Sequence, residues 1–385
     1  MNKFPKMKSR WLNRFYENTD EKLLQKGKVF VLMGPRRVGK TEFIKRLISR
    51  FDGKVFSGTG DNLDLREVLS SQRLQRINSA LGSYDLIFID EAQRIPEIGY
   101  SIKLLIDSSP GKTIVLTGSS SFELSGQLGE PLTGRQKQKK LFPLSVVELH
   151  EQFGGMRVLE ILDELLIFGS YPEVLNQDIG IDKTEYLHLL RDSYLLKDIF
   201  ELENLKYSEK LFDILKLLAF QIGHEVSLNE LANKIGIAKQ SVERYISLLE
   251  KAFVLKRLGG FSRNLRNEIT KSSRYYFLDN GVRNAIINNF NPIGSRNDIG
   301  MLWENFMVME RLKNQEYKRI FSNNYFWRTY DQKEIDLIED RGGKLYAFEF
   351  KYGSTKVKAP KQWKNAYPDS EFNLVTPDNF LEFLV

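Results

Sequence analysis

The chain contains no cysteine, which excludes disulfides and thiolate-held metals. Its three histidines, His150, His188 and His224, are too scattered for a local zinc motif, so any metal is expected on oxygen ligands. No run of 18 apolar residues occurs, and the basic opening "MNKFPKMKSRWLNRFYENTDEK" lacks the apolar centre of a signal peptide. These absences predict a cytoplasmic protein with no membrane partner. Internal repeats and low-complexity tracts are also missing. What is present is a chain of 385 residues, 42% hydrophobic and 12% aromatic, long enough for two or three domains with cores of their own. A net charge of +7 leans towards a polyanionic partner, only slightly when spread over this length.

The strongest local pattern is "KVFVLMGPRRVGKTEFIKRLI", residues 28–48. Val29 to Met33 read as a buried strand, and Phe43, Ile44, Leu47 and Ile48 follow with helical spacing. Between them Gly34, Pro35, Arg36, Arg37, Val38, Gly39, Lys40 and Thr41 fit G-x-x-x-x-G-K-[ST]. The glycines let backbone N–H groups turn onto phosphate oxygens, and the helix amino terminus adds positive potential. Lys40 is expected to reach the β- and γ-phosphates and Thr41 to ligate Mg2+. The candidate ATP-binding stretch runs from Gly34 through Glu42.

"YDLIFIDEAQRI", residues 84–95, places Leu86 to Ile89 before Asp90 and Glu91, as suits a parallel strand whose carboxyl end meets a ligand crevice. Asp90 is then a Mg2+ ligand through water, and Glu91 the base that polarises the attacking water. The alternative is an acidic cap on the following helix. After the third strand, "KTIVLTGSSSFEL", Thr117 or Ser119 is placed to bond the attacking water or the γ-phosphate, unless these residues merely form a turn. In "LTGRQKQKKLFPLSVVEL", Arg135 is a candidate arginine finger, in cis or from a neighbouring subunit in a homo-oligomer; the alternative is a surface ion pair.

Taken in order, "GPRRVGKT", "LIFIDEAQ", "LTGSSS", "LTGR…LFPLSVVEL", "FGSYPEVL" and "LRDSYLLKDI" resemble the AAA+-type ATPases of archaea and bacteria that carry a carboxyl-terminal region of unknown function with a restriction-endonuclease-like fold. The resemblance spans about Lys28 to Lys351. It implies an α/β fold: a parallel ATPase sheet with a helical lid, a winged helix, and a terminal nuclease-like α/β domain.

The middle of the chain has helical period over 157–222, with Leu159, Leu162, Leu165 and Leu166 on one stripe and Tyr194, Leu195, Ile199 and Leu202 on another. "SLNELANKIGIAKQSVERYISLLEKAFVLKRL" starts with Ser227 and Glu230 in capping-box register, turns at Gly236, and resumes with Val242, Ile246 and Leu249 facing inward. It reads as a helix-turn-helix followed by a hairpin wing. Lys239, Gln240 and Arg244 are the candidate DNA contacts, with Lys256, Arg257, Arg263, Arg266, Lys271 and Arg274 on the wing side. A structural or protein-binding module would carry the same residues.

"YFWRTYDQKEIDLIEDRGGKLYAFEFK", residues 325–351, predicts a hairpin about Gly342-Gly343. A symmetric pairing puts Asp336 opposite Ala347 and diagonal to Glu349, on the face that also carries Lys351. Upstream, "MLWENFMVMERL" is a helix whose Glu304 interrupts an apolar face. The arrangement resembles the PD-(D/E)xK nucleases, which implies Asp336 and Glu349 as ligands of a second Mg2+ or Mn2+, Lys351 beside the attacking water or scissile phosphate, and Glu304 as the helical acid. The alternative is a structural Glu349–Lys351 ion pair.

The expected domains are therefore 1–155 (ATPase core), 156–225 (lid), 226–290 (winged helix) and 291–385 (nuclease-like). The expected ATPase residues are Lys40, Glu91, Ser119 and Arg135. Two functions fit: an ATPase acting on DNA through its carboxyl-terminal modules, or a signalling or assembly switch whose carboxyl-terminal modules bind proteins and are not catalytic.

Overall fold

Five short strands, β1 (Val29–Met33), β2 (Val55–Thr59), β3 (Leu86–Asp90), β4 (Thr113–Gly118) and β5 (Gln136–Lys140), form one sheet in the order β2-β3-β4-β1-β5. Every pairing in it is parallel. The structure, a computed structural model, describes residues 12–19, 22–119, 128–129, 131–195, 208–262, 273–329, 331–353 and 356–385. Helices cover both faces of a parallel sheet, which is why β1 and β4 are buried at every position and read as unbroken apolar runs. The helices Leu63–Ser70, Leu74–Leu81 and Ile98–Ser108 supply Leu69, Ile77, Leu81, Ile98, Ile102 and Leu105 to a core with Val29, Val31, Ile87, Ile89 and Ile114. The basic β5 lies at the sheet edge, where its lysines discourage pairing with another chain.

The chain divides into two compact units, one of Arg14–Pro143 with Lys251–Phe253, the other containing Leu144–Glu250 and Val254–Val385. The second unit starts with the helices Val146–Phe153, Gly155–Glu160, Leu162–Phe168, Pro172–Asn176 and Gly180–Leu189. Leu162, Leu165 and Leu166 are buried as the stripe predicts, whereas Leu159 is 42% exposed. The reason is a break at Ile161, which ends one helix and starts the next, so Leu159 no longer shares the later residues' face. The second predicted stripe, Tyr194, Leu195, Ile199 and Leu202, lies outside the described side chains.

The helix Leu228–Ile235 is capped by Ser227, whose hydroxyl accepts the Glu230 N–H; it ends at Gly236 with φ +73°. Glu230 does not complete the predicted box, its carboxylate pairing with Lys234 at 2.7 Å instead. The helix Lys239–Lys251 follows and buries Val242, Ile246 and Leu249 as expected. Then come β7 (Leu255–Gly260) and β8 (Ser273–Phe277), which pair antiparallel, with β6 (Glu225–Val226) on the far side of β8.

These strands do not close a small wing of their own. They continue into β9 (Asn323–Arg328), β10 (Glu334–Arg341), β11 (Lys344–Phe350) and β12 (Glu371–Val375) as one seven-stranded sheet, β12-β11-β10-β9-β7-β8-β6. The expected boundary at 290/291 therefore falls within a chain segment whose flanking strands share a sheet. The hairpin of β10 and β11 closes through Gly342 (φ +59°) and Gly343 (φ +88°), a two-residue turn that needs positive φ twice. Ile338, not Asp336, sits opposite Ala347, with Leu337 opposite Phe348. The two-residue correction keeps every side chain on its predicted face, because the strand period is two. Ala347 joins Trp327, Ile335, Ile338 and Trp363 in one core, while Phe348 and Phe350 pack on Phe383.

Candidate nucleotide site and a buried carboxylate cluster

At the carboxyl end of β1 the chain turns through Gly34, φ +154°, where a Cβ would lie 2.0 Å from the Leu141 carbonyl oxygen. Only glycine permits that approach. Gly39, φ +89°, then starts the helix Lys40–Ile48, whose first N–H groups have no partners within the helix and face the loop. Lys40 is 6% exposed, and its Nζ donates to the carbonyls of Gly34 and Pro35, both at 2.8 Å. Arg14, which sequence reasoning missed, supports the loop by donating to the carbonyls of Val38 and Phe142. Of the other loop residues, Val38 is buried, Arg36 half-buried and Arg37 exposed. Glu42 turns outward to Lys45 at 2.9 Å, which leaves its main-chain N–H as its contribution to the loop.

Asp90 ends β3 beside this helix. Its Oδ2 accepts from the Thr41 hydroxyl at 2.7 Å, and its Oδ1 from Thr117. Thr117 is fully buried, so it orients Asp90 rather than reaching water or phosphate as predicted. Glu91 follows in the left-handed region, φ +48°, a conformation rare for a residue with a Cβ. Its carboxylate accepts from Gln93 Nε2 at 2.5 Å and from Ser119 Oγ at 3.3 Å, and Gln93 also donates to Ser119 at 3.0 Å. Gln93 was missed in the sequence although it lies inside "DEAQ". The paired Thr41 hydroxyl and Asp90 carboxylate are hard-oxygen donors suited to Mg2+, and the glycine turn, the amides of the helix amino terminus and Lys40 suit polyphosphate. A Mg2+–nucleotide fits these residues.

Arg135 does not join them. The parallel register sets Gln136 beside Val29, at the amino end of β1, so Arg135 lies a full strand, about 16 Å, from the end that carries the loop. Its guanidinium pairs with Asp107. The cis finger is thus corrected to a surface ion pair.

In the other unit, Glu304, Glu334 and Asp336 gather round Arg274 of β8, and the paired Glu349 and Lys351 lie within the field of Asp336. Arg274 is 1% exposed, against an expectation that placed it on a solvated wing. Its guanidinium approaches Glu334 at 2.6 Å, Glu304 at 3.3 Å and Asp336 at 3.6 Å, and lies over the Phe326 ring at 4.6 Å. Tyr276 donates to Glu304 at 2.7 Å, and the Phe350 N–H donates to Asp336 at 2.8 Å. Burial, then the charge of Asp336, pushes Glu304 up to about 8 and Glu349 up to about 7. Burial also raises Asp336. For Lys351 burial acts downward, but Asp336 and then its bond to Glu349 leave it raised. Lys351 holds one Glu349 oxygen at 2.7 Å; the other, Oε2, is buried with no partner. The acids and lysine expected from sequence are thus brought together, with the alternative Glu349–Lys351 pair formed as well. Among the described residues no three His, Asp or Glu side chains converge as metal ligands would. Arg274, Tyr276 and Glu334 carried no sequence signal for this cluster.

The candidate DNA contacts Lys239, Gln240 and Arg244 are exposed, as are Lys256 and Arg257. Lys239 spends part of its charge on Glu243 at 3.5 Å. Arg263, Arg266 and Lys271 lie outside the described residues. No helix among the described residues is long and apolar enough to cross a membrane.

Residues 26–150 match the family described as AAA domain. That region contains the loop, Asp90, Glu91 and Ser119, so the AAA match and the site geometry coincide. Residues 159–292 match a domain of unknown function (DUF8612), and residues 299–379 another (DUF4143). The carboxylate cluster draws Arg274 and Tyr276 from the first of these and its acids and lysine from the second. An uncharacterized protein of Mycobacterium tuberculosis is 29% identical over 339 residues, covering 86% of this chain and 72% of that protein. One of Methanocaldococcus jannaschii is 24% identical over 333 residues, covering 81% and 72%. Among solved structures, a RuvB variant of Thermotoga maritima is 21% identical with a TM-score of 0.32, covering 60% of this chain and 82% of its own. The replication initiator DnaA bound to AMPPCP and single-stranded DNA is 14% identical with a TM-score of 0.30, covering 58% and 82%. Likenesses so loose assign neither chemistry nor partner.

Proposed function

We propose that this protein binds ATP at the AAA-matched region, hydrolyses it, and uses the nucleotide cycle to control DNA binding or processing by its other unit. The observation that carries the ATPase reading is the set of Lys40, Thr41, Asp90 and Glu91 at the carboxyl ends of β1 and β3. Lys40 and the helix amides bind the β- and γ-phosphates, Thr41 and Asp90 would hold Mg2+, and Glu91 takes the proton of the attacking water. Mg2+, when bound, supplies charge neutralisation on the phosphates. Ser119 and Gln93 hold the Glu91 carboxylate in position. Arg135 contributes only if a neighbouring copy presents it to this site.

In this reading residues 156–225 serve as lid, 226–290 as winged helix with Lys239, Gln240 and Arg244 on DNA, and 291–385 as a nuclease-like domain. Asp336 and Glu349 would hold a second divalent ion, with Lys351 beside the scissile phosphate and Glu304 as the supporting acid; the unpartnered Glu349 Oε2 supports that fit. A second reading, an ATP-dependent switch with non-catalytic carboxyl-terminal modules, is favoured by the Arg274 guanidinium already neutralising the acids.

Steady-state ATP turnover measured with duplex, single-stranded and branched DNA separates the two. The first reading expects a several-fold rise with at least one DNA, and loss of that rise in Lys239→Glu/Arg244→Glu. A turnover indifferent to every DNA favours the switch. Following DNA integrity on a gel with Mg2+ and with Mn2+ tests cleavage in the same reactions.

A further inference from the structure

The carboxylate cluster has an internal cation. From β8, Arg274 reaches Glu304, Glu334 and Asp336, and its planar head is held over Phe326 and buried to 1% exposure. Glu304 is largely enclosed: Tyr276 donates to it, and Gly223, φ +72°, leaves room for it, since a Cβ there would lie 2.7 Å from Glu304 Oε2. Yet the balance is incomplete. Among the described residues Glu349 Oε2 is left buried without a donor, while Arg274 Nε is left without an acceptor. A sealed carboxylate oxygen with no partner is unfavourable and marks a place for positive charge.

We propose that the Arg274 guanidinium and a divalent cation compete for Glu304 and Asp336, the divalent cation gaining Glu349 as a further ligand. This rests on the reading that Asp336 and Glu349 hold a divalent ion, and deepens it by naming what competes with that ion. The guanidinium stands 3.3 Å from Glu304 and 3.6 Å from Asp336, whereas Mg2+ or Mn2+ draws oxygens to about 2.0–2.2 Å. An arginine against Glu304 and Asp336 therefore keeps these two from converging on a metal, in line with the lack of any three-ligand group among the described residues. Arg274 is delivered by β8, which pairs with β6 and β7 on either side of the helices Leu228–Ile235 and Lys239–Lys251, so the competing cation comes from the region carrying the candidate DNA contacts.

The test is Mn2+ binding to the full chain without nucleotide, followed by electron paramagnetic resonance of the free ion. Arg274→Gln removes the charge and keeps hydrogen-bonding capacity; Arg274→Lys keeps a cation with a shorter reach and covers the case in which the glutamine variant does not fold by circular dichroism. Removing a unit charge this close is expected to tighten one Mn2+ per chain by at least about tenfold in Arg274→Gln, with a smaller gain in Arg274→Lys. Adding Asp336→Asn with Glu349→Gln is expected to abolish the gain. Tight binding in the parent, lost in the carboxylate double variant and unchanged by either Arg274 substitution, overturns the competition while leaving the metal site standing. No Mn2+ bound by the parent or by either folded variant overturns both.

Discussion

Lys40→Ala is expected to lower ATP turnover by roughly 10²–10³-fold, the scale seen when one charge-stabilising donor is removed from a transition state. Lys40 is buried in the loop with its Nζ on the Gly34 and Pro35 carbonyls, so its ammonium is held within the glycine turn. Arg14 is committed to the Val38 and Phe142 carbonyls, and Arg135 pairs with Asp107 at the far end of β1 and β5, so neither replaces Lys40. Nucleotide affinity should fall as well, because Lys40 touches the ground state and the transition state alike. Phosphate release and equilibrium binding of a fluorescent ATP analogue check both effects, and an unaltered turnover would remove the nucleotide-site assignment.

Glu91→Gln is expected to keep ATP binding and lose about 10²–10⁴-fold in hydrolysis, the range for loss of a general base. The amide has the carboxylate's shape but no basic lone pair to take a proton. Local structure should tolerate it. The new side-chain NH2 would confront the Gln93 NH2, but Gln93 Oε1 is buried without a partner, and an amide flip brings that acceptor round to restore the bond. Single-turnover hydrolysis and binding measured on the same preparation distinguish the outcomes. Loss of binding instead would make Glu91 a brace for the turn after β3, where its φ of +48° already demands support.

How far each site could be read in advance differed for a physical reason. The loop was legible because strand, glycine turn and helix are contiguous: apolar run, Gly34, Gly39, Lys40 and Thr41 are related by local chain geometry alone. Asp90 and Glu91 were legible because a buried parallel strand presents its carboxyl end to the ligand crevice. Arg135 was misplaced because a Gly-Arg pair reads the same at either end of a strand, and only the pairing of Gln136 with Val29 decides which end it occupies. Arg274 was misplaced for a related reason. All five residues of β8 are buried, so "SRYYF" shows no alternation from which a facing direction could be read.

By itself the sequence determined the elements whose causes are local: the phosphate loop and its flanks, the Ser227-capped helix and the turn at Gly236, the tight Gly342-Gly343 hairpin, and the shared face of Asp336, Ala347 and Glu349. The tertiary structure alone decided which distant strands adjoin. Placing β7 beside β9 merged the wing strands with the carboxyl-terminal strands, and that order brought Arg274 to Glu334, 60 positions away, and Tyr276 to Glu304, 28 away. Helix caps and turns depend on bonds a few residues long, whereas the meeting of an arginine with remote carboxylates depends on sheet order and register, which the chain sets only when its whole core closes.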